Sequence, residues 1–202
     1  MKYFIIIFTW SAYCFLHSYL ISIRFTDFMF RSLKSYYAFF RMFYVIISLV
    51  LLVILIKYTN SLGDEIIVNL TAPWITIRYI LTSVCLIIFF WAFFFSYDAL
   101  EFFGIRQIIK FGKKKEVNTT KELKKKGLLG VTRHPMYIAL IVFLWVNIRS
   151  EVDIIINIVL TIYVIIGTLL EERKLVLEFG DVYLKYQQEV PMLIPFIKRN
   201  SR

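Results

Sequence analysis

Five uncharged apolar runs, separated by charged segments, dominate the sequence. They cover residues 3–23, 42–56, 79–97, 135–148 and 154–170. An α-helix needs about 20 apolar residues to cross the hydrocarbon core of a bilayer, and sustained runs without polar alternation are typical of membrane helices. The pattern therefore predicts an all-α, polytopic membrane protein with about five transmembrane helices.

The last two runs are close together and predict a helical hairpin. Residues 135–148 would form a helix of about 21 Å, which is short for an untilted crossing, and only the polar break 149–153 separates it from the next run. A polar tail, 171–202, follows and is expected to be helical. Residues 98–111 place apolar side chains at roughly helical spacing, which predicts a helix lying in the membrane interface.

Basic residues are concentrated in alternate segments between the runs. Lys and Arg number four in 24–41, ten in 98–134 and six in 171–202, against two in 57–78 and one in 149–153. Cytoplasmic loops of membrane proteins carry the excess of these residues. The counts therefore predict that the amino terminus is outside and the carboxyl terminus is in the cytoplasm.

Composition agrees with a membrane protein, because 59% of the residues are hydrophobic. The net charge of +10 also suits nucleic-acid binding. Loops that orient membrane helices explain the same charge, so we predict no nucleic-acid partner. The lysine-rich segment 113–126 is expected to contact anionic membrane lipid. The oligomeric state is not specified by the sequence.

The clearest candidate chemistry lies at the start of the fourth run, in Arg133-His134-Pro135-Met136-Tyr137. Proline suits the first turn of a helix, where its missing N–H costs nothing. Arg133 and His134 would then lie beside free backbone N–H groups, which favour a bound carboxylate or phosphate. A basic interfacial cap followed by an aromatic belt residue would give the same pattern, and both interpretations stay open.

Two further polar groups follow the fifth run. Glu171 and Glu172 can accept hydrogen bonds from a ribose diol or face a cationic ligand, or they can simply be solvated. Adjacent helical residues point about 100° apart, so we expect only one of them to face a pocket. Tyr183 and Tyr186 share a helical face and can pack a flat ring, although two belt tyrosines would look the same.

His17, beside Ser18, lies inside the first apolar run. A polar pair at that depth usually faces a protein interior, as an interhelical hydrogen bond or as part of a functional site. Only one other histidine, His134, occurs in the sequence, so no convincing metal-ligand set is present. An enzyme built on this chain would depend on a cofactor that carries its own reactivity.

Four motifs in residues 121–197 resemble the carboxyl-terminal half of isoprenylcysteine carboxyl methyltransferases and related membrane methyltransferases. They are Gly127 with Arg133-His134-Pro135 and Tyr137, Glu171-Glu172, Phe179-Gly180 with Tyr183 and Tyr186, and Val190-Pro191 with Pro195-Phe196. In the front half, His17-Ser18 and Phe103-Gly104-Ile105-Arg106-Gln107 resemble the methanethiol S-methyltransferase and NnrU-like branch.

The resemblance implies methyl transfer from S-adenosylmethionine to a small or lipophilic acceptor that arrives from the lipid side. It assigns the cofactor to Leu123, Leu129, His134, Pro135, Met136, Tyr137, Glu171 and Tyr183. A thiol acceptor must be ionised, and Arg133, Arg106 or the sulfonium itself can lower its pKa. His17 is the candidate base, so Arg133 and His17 are the predicted catalytic residues.

Two departures from the family pattern bear on these assignments. Isoprenylcysteine enzymes usually have an aromatic residue where Leu129 stands, which puts one adenosyl contact in doubt. They also place an arginine for the acceptor's carboxylate where this chain has Gly167. The loss of that arginine favours a smaller, uncharged or thiolate acceptor over a prenylcysteine carboxylate.

We expect one integrated membrane domain with two functional regions. Residues 1–112 would form a three-span scaffold with the interfacial helix, and residues 113–202 the cofactor-binding region. Two alternatives to the leading function are an NnrU-like non-enzymatic membrane protein and a phospholipid N-methyltransferase.

Overall fold

A computed structural model describes residues 1–63, 65–96, 99–109, 111, 123 and 125–195. Nine α-helices lie within these ranges, and the only extended pairing is an isolated bridge between Ile66 and Ser150. The predicted all-α class is confirmed. Most of the lysine-rich segment 113–126, including Lys121 and Lys124, lies outside the described residues.

Four helical stretches are long and apolar enough to cross a membrane. They are Lys2–Leu20, Ile23–Ser61, Trp74–Phe95 and Glu151–Phe179. The first and last are the single helices α1 and α8, the second contains α2 (Ile23–Leu33) and α3 (Tyr37–Ser61), and the third contains α4 (Trp74–Trp91). They confirm the polytopic class. The fifth predicted span forms α7 (Pro135–Val146), whose 12 residues extend only about 18 Å. Five crossings are therefore not confirmed by helix length.

One compact unit comprises Met1–Glu65 and Asp98–Thr119. Within it, polar side chains join α1 to α3. Trp10 Nε1 donates to Thr59 Oγ1 at 3.1 Å, and the hydroxyl of Tyr44 lies 2.9 Å from a ring nitrogen of His17. Hydrogen bonds of this kind hold membrane helices together where the lipid offers no alternative partner.

Two parts of this unit differ from the sequence-based prediction. The basic segment 24–41 contains helix α2, which begins after the cap Ser22 and packs Phe25 against Phe40 with ring centroids 6.0 Å apart. The predicted interfacial helix 98–111 is divided into α5 (Ala99–Phe102) and α6 (Ile105–Ile109). Gly104 separates them at φ +78°, and an added Cβ there would lie 2.9 Å from the backbone nitrogen of Met42.

The second unit comprises Ile66–Tyr97 and Thr120–Arg202. It groups α4, which we expected in the amino-terminal scaffold, with α7, α8 and α9 (Asp181–Glu189). Helices α7 and α8 form the predicted hairpin. Helix α8 begins with a capping box in which Ser150 and Asp153 bond each other's backbone N–H groups.

Polar contacts fix the end of this hairpin against α4. Arg78 donates to the backbone oxygen of Ile148 at 2.8 Å, and the side chains of Thr82 and Asn147 are hydrogen-bonded. Asn157 of α8 donates to the backbone oxygen of Leu144 at 2.8 Å. These bonds hold α7 against its neighbours, so that its first residues have a defined position relative to α8.

Candidate functional site

The start of α7 is paired with the segment that follows α9. The backbone N–H groups of Arg133 and His134 donate to the carbonyls of Pro191 and Met192 at 2.9 and 3.1 Å. Thr132 Oγ1 donates to the Met192 carbonyl at 2.9 Å. Pro135 is the first helical residue, as predicted. The N–H groups of Arg133 and His134 are therefore not free for an anion.

The carboxylate of Glu172 contacts the side chains of both residues that precede α7, Arg133 and His134. Arg133 donates through Nε to Oε1 at 2.8 Å and through Nη2 to Oε2 at 2.6 Å. His134 lies with Nε2 2.8 Å from Oε1. The side chains of all three residues are buried. A buried carboxylate and guanidinium in this two-point geometry form a strong, directional ion pair.

Helix α9 completes the surroundings of Glu172. The Tyr183 hydroxyl donates to Oε1 at 2.7 Å and Gln187 Nε2 donates to Oε2 at 2.6 Å. The remaining nitrogen of Arg133, Nη1, donates to the carbonyls of Gln187 and Val190. Five donor atoms thus converge on the Glu172 carboxylate, and every guanidinium nitrogen of Arg133 has an acceptor. Both side chains are committed to holding α7, α8 and α9 together.

Glu171 lies on the other side of His134 and is only partly buried. The Tyr137 hydroxyl donates to Glu171 Oε2 at 2.7 Å. The rings of His134 and Tyr137 are stacked, with centroids 5.5 Å apart and planes 12° apart. His134 Nδ1 lies 3.8 Å from Glu171 Oε2 and has no hydrogen-bond partner among the described residues. Both glutamates therefore contribute to one cluster, but only Glu171 is partly exposed, in agreement with the expectation that one of the two faces a pocket.

The tyrosines of α9 are buried and protonated. Burial and the hydrogen-bonded charge of Glu172 hold the pKa of Tyr183 far above its ordinary value. Burial likewise raises the pKa of Tyr186 to about 12. The Tyr186 hydroxyl donates to the carbonyl of Leu129 at 2.5 Å, and Lys125 Nζ lies 5.5 Å from the Tyr186 ring centroid. These contacts fix the turn Gly127–Gly130 against α9.

The remaining predicted site residues are placed less distinctively. Leu123, Leu129 and Met136 are half-buried, and Pro135 is buried at the start of α7. His17 lies in α1, in the other compact unit, and is hydrogen-bonded to Tyr44. In the part of the chain that the structure describes, no group of three or more His, Cys, Asp or Glu residues could hold a metal ion.

Two members of the cluster escaped the sequence-based assignment. The sequence singles out the pair Glu171-Glu172, but the cofactor assignment includes only Glu171, and it does not include Gln187. Gln187 follows Tyr183 by four residues and so shares its helical face. The sequence shows this spacing, but it does not indicate that this face of α9 packs against α8.

The family described as "Protein of unknown function (DUF1295)" matches residues 4–189, which is most of the chain. The chain belongs to this family. The match spans both halves of the sequence, from α1 to the end of α9. The region that matches the DUF1295 family therefore includes every side chain that contacts Glu172.

Three proteins that are similar in sequence to this DUF1295 member are named methanethiol S-methyltransferase. The one from Crocosphaera subtropica is 33% identical over 108 residues, which are 53% of this chain and 42% of that protein. That from Pseudomonas deceptionensis is 40% identical over 74 residues, 36% and 28% of the two chains. Methanethiol S-methyltransferase 1 from Bradyrhizobium diazoefficiens is 37% identical over 103 residues, 50% and 36%.

These relatives confirm the predicted resemblance to the methanethiol S-methyltransferase branch of the membrane methyltransferases. The matched region spans less than half the length of each of the three. No solved structure matches the chain.

Proposed function

We propose that this protein is an integral membrane methyltransferase that uses S-adenosylmethionine to methylate a small or lipophilic acceptor. The main structural support is the cluster in which the buried residues Arg133 and Glu172 hold His134 beside Glu171. Its polar groups are held in place before any ligand arrives, and they occur in a chain whose relatives are named methyltransferases.

The residues at this site fit the cofactor. His134 Nδ1 is a buried polar atom without a partner among the described residues, and it lies beside the partly exposed carboxylate of Glu171. Buried polar atoms in native proteins are nearly always paired, so an unpaired one leaves a hydrogen-bonding position that a polar ligand group can fill. His134, Tyr137 and Glu171 would hold the polar part of the cofactor, and Pro135, Met136, Leu123 and Leu129 its apolar surface.

When bound, S-adenosylmethionine supplies a methyl group on a positively charged sulfur that is a good leaving group. The protein's own task is to orient the reactants and exclude water. Arg133 contributes to this by positioning, because its guanidinium is bound to Glu172 and to two backbone carbonyls. His17 is proposed as the base that takes the proton of a thiol acceptor.

A small thiol is the acceptor we favour. Gly167 lies one helical turn before Glu171 on α8, and an added Cβ there would meet no atom of the described residues within 4 Å. No arginine is present at this position to receive an acceptor's carboxylate. The missing arginine at position 167 and the name of the relatives both favour a small, thiolate acceptor over a prenylcysteine carboxylate or a phospholipid amine.

Binding of S-adenosylhomocysteine to the purified protein tests the cofactor. Calorimetry is expected to give a Kd in the micromolar range, about −8 kcal/mol, and His134→Ala is expected to weaken binding at least about tenfold, since it removes a ring that contacts three other site residues. Glu189→Gln, an exposed change on α9, serves as the control. A well-folded protein that binds no S-adenosylhomocysteine would exclude the proposal.

The acceptor is tested with radiolabelled S-adenosylmethionine. Methanethiol, longer thiols, farnesylcysteine and phosphatidylethanolamine are offered separately, and label is expected in the thiol products alone. His17→Gln is expected to lower transfer while leaving the affinity for S-adenosylhomocysteine unchanged. Label in phosphatidylethanolamine would favour the phospholipid alternative, and absence of transfer to any acceptor would favour the non-enzymatic one.

A further inference from the structure

Helix α2 connects two helices that are long enough to cross the membrane. Only Ile21 and Ser22 separate it from α1, and the short turn Lys34–Tyr36 separates it from α3. Helix α3 alone has 25 residues and extends about 38 Å, which is more than the hydrocarbon core of about 30 Å requires. Helix α2 is therefore additional to the crossing that α3 provides.

Helix α2 folds back against α3 instead of extending it. The ring centroids of Phe25 and Phe40 are 6.0 Å apart, although a continuous helix would separate these two residues by about 22 Å along its axis. The chain turns at Lys34, which has φ +49°. The ring of Phe25 also lies 5.1 Å from that of Tyr19, near the end of α1. Helix α2 thus lies beside the end of α1 and the start of α3, at the membrane surface.

The two faces of α2 differ in chemistry. The inward-facing side chains are apolar, half-buried and spaced four residues apart, and they are Phe25, Met29 and Leu33. The opposite face carries the exposed charged side chains Arg24, Asp27 and Arg31, which are three and four residues apart. Lys34 is also exposed and follows directly after the helix. Three basic groups against one carboxylate give this surface a net positive charge.

Large apolar side chains flank the charged face on both sides. Phe28 is 62% exposed on one flank, and Ile23 and Phe30 are 67% and 51% exposed on the other. A helix with a wide apolar surface and a basic polar face is typical of helices that lie in the membrane interface. At that depth the flanking side chains contact acyl chains, and the long arginine side chains reach the level of the lipid phosphates.

We infer that α2 lies in the membrane interface and binds the phosphate groups of anionic phospholipids through Arg24 and Arg31. The two residues are on one side of the helix and about 10 Å apart along its axis, so each can bind a separate headgroup. A guanidinium presents paired N–H donors that match the oxygens of a phosphate. A zwitterionic lipid carries its own cation, so the net positive charge of α2 favours lipids with a net negative charge.

The test measures lipid binding by the full chain. The protein is purified in a neutral detergent, stripped of lipid and titrated with phosphatidylglycerol or with phosphatidylcholine of the same acyl chains, and bound lipid is counted by native mass spectrometry. The double variant Arg24→Gln/Arg31→Gln removes both bases of α2. The control Lys57→Gln/Arg149→Gln removes the same charge from two exposed residues outside α2.

The wild type and the control are expected to bind phosphatidylglycerol at least about tenfold more tightly than phosphatidylcholine, because each basic residue at the surface adds to the attraction for anionic lipid. Arg24→Gln/Arg31→Gln is expected to lose most of this preference while its Tm without added lipid stays unchanged, since both side chains are exposed.

An equal preference in the two double variants would overturn the inference, and so would a wild type that binds both lipids equally. A wild type that binds neither lipid but forms dimers that Arg24→Gln/Arg31→Gln disrupts would assign this face to a second copy of the chain instead.

Discussion

Two adjacent glutamates perform different tasks at the residue scale. Glu172 faces the interior and accepts from Arg133, His134, Tyr183 and Gln187, so it has no capacity left for a ligand. Glu171, about 100° further around α8, is partly exposed and accepts from Tyr137. The buried acid thus organises the site, and the exposed acid remains available to bind.

The stability contribution of Glu172 can be measured by substitution. Glu172→Gln keeps the shape but leaves the buried charge of Arg133 without a counter-ion, and breaking a buried pair in this way costs about 3 to 5 kcal/mol. In a chain of this size we expect Tm, followed by tryptophan fluorescence in detergent, to fall by roughly 10 °C. Glu189→Gln should leave Tm unchanged, and an unchanged Tm for Glu172→Gln would contradict the structural role.

Tyr186 provides a prediction about alkaline pH. Because burial raises its pKa to about 12, the unfolded state loses this proton first, at the ordinary tyrosine pKa of about 10. The stability due to the protonated hydroxyl is fully present below about pH 10 and is lost as the pH rises through the folded pKa. The Tyr186→Phe variant, which has no hydroxyl to ionise, is therefore not expected to show this decrease in stability between about pH 10 and 12.

The measurement is the tyrosinate absorbance of the wild type minus that of Tyr186→Phe. The difference is expected to titrate near pH 12, and Tyr186→Phe is expected to be about 1 kcal/mol less stable at neutral pH because it lacks the hydrogen bond to Leu129. A difference spectrum that titrates at the ordinary tyrosine pKa would show that Tyr186 is not buried as described.

At the element scale, the start of α7 depends on chain that lies far downstream. Arg133 and His134 donate backbone hydrogen bonds to the segment after α9, Thr132 bonds the same segment, and Arg133 bonds the carbonyl of Val190. Helix α7 is therefore positioned at its first residues by α9 and residues 190–193 as well as by its packing on α4 and α8.

Two deletions test this dependence. Removal of residues 190–202 takes away the acceptors of the backbone N–H groups of Arg133 and His134, and we expect it to abolish S-adenosylhomocysteine binding and to lower Tm. Removal of 196–202 keeps all the contacts named above and should preserve both properties. Retained binding after the longer deletion would show that these hydrogen bonds do not hold the site.

At the scale of the whole molecule, the number of crossings decides the membrane orientation. We propose five crossings, with the amino terminus outside and the carboxyl terminus in the cytoplasm, because alternate segments carry the excess of Lys and Arg. Helix α7, at 12 residues, is too short to cross untilted. If α7 and α8 both cross as a hairpin, the termini lie on opposite sides.

Reporter fusions at both termini and in the turn 147–150 test the orientation. Alkaline phosphatase, active outside, is expected to report at the amino terminus and in the turn, and green fluorescent protein, fluorescent inside, at the carboxyl terminus. Termini that report the same side would mean four crossings, which would leave the short helix α7 as the segment that does not cross.

The sequence by itself determined the helical membrane architecture, because long uncharged runs leave a backbone in lipid no alternative to internal hydrogen bonding. A local signal also located Pro135 at the start of α7, whereas the predicted break 149–153 overlaps the first turn of α8, which begins at Glu151. Helix α2 was missed because its charged residues resemble those of a loop, and its apolar face is recognisable only once Phe25 is seen against Phe40.

Only the tertiary structure decided which of the two glutamates is buried. In the sequence they are equivalent neighbours. The residues that surround them come from the start of α7, 34 or more residues upstream, and from α9, whose Tyr183 is 11 residues downstream of Glu172. The five donors on Glu172, the burial of His134 and the partial exposure of Glu171 all follow from how three helices meet. Such long-range pairing has no local sequence signal, and the chemistry of this site depends on it.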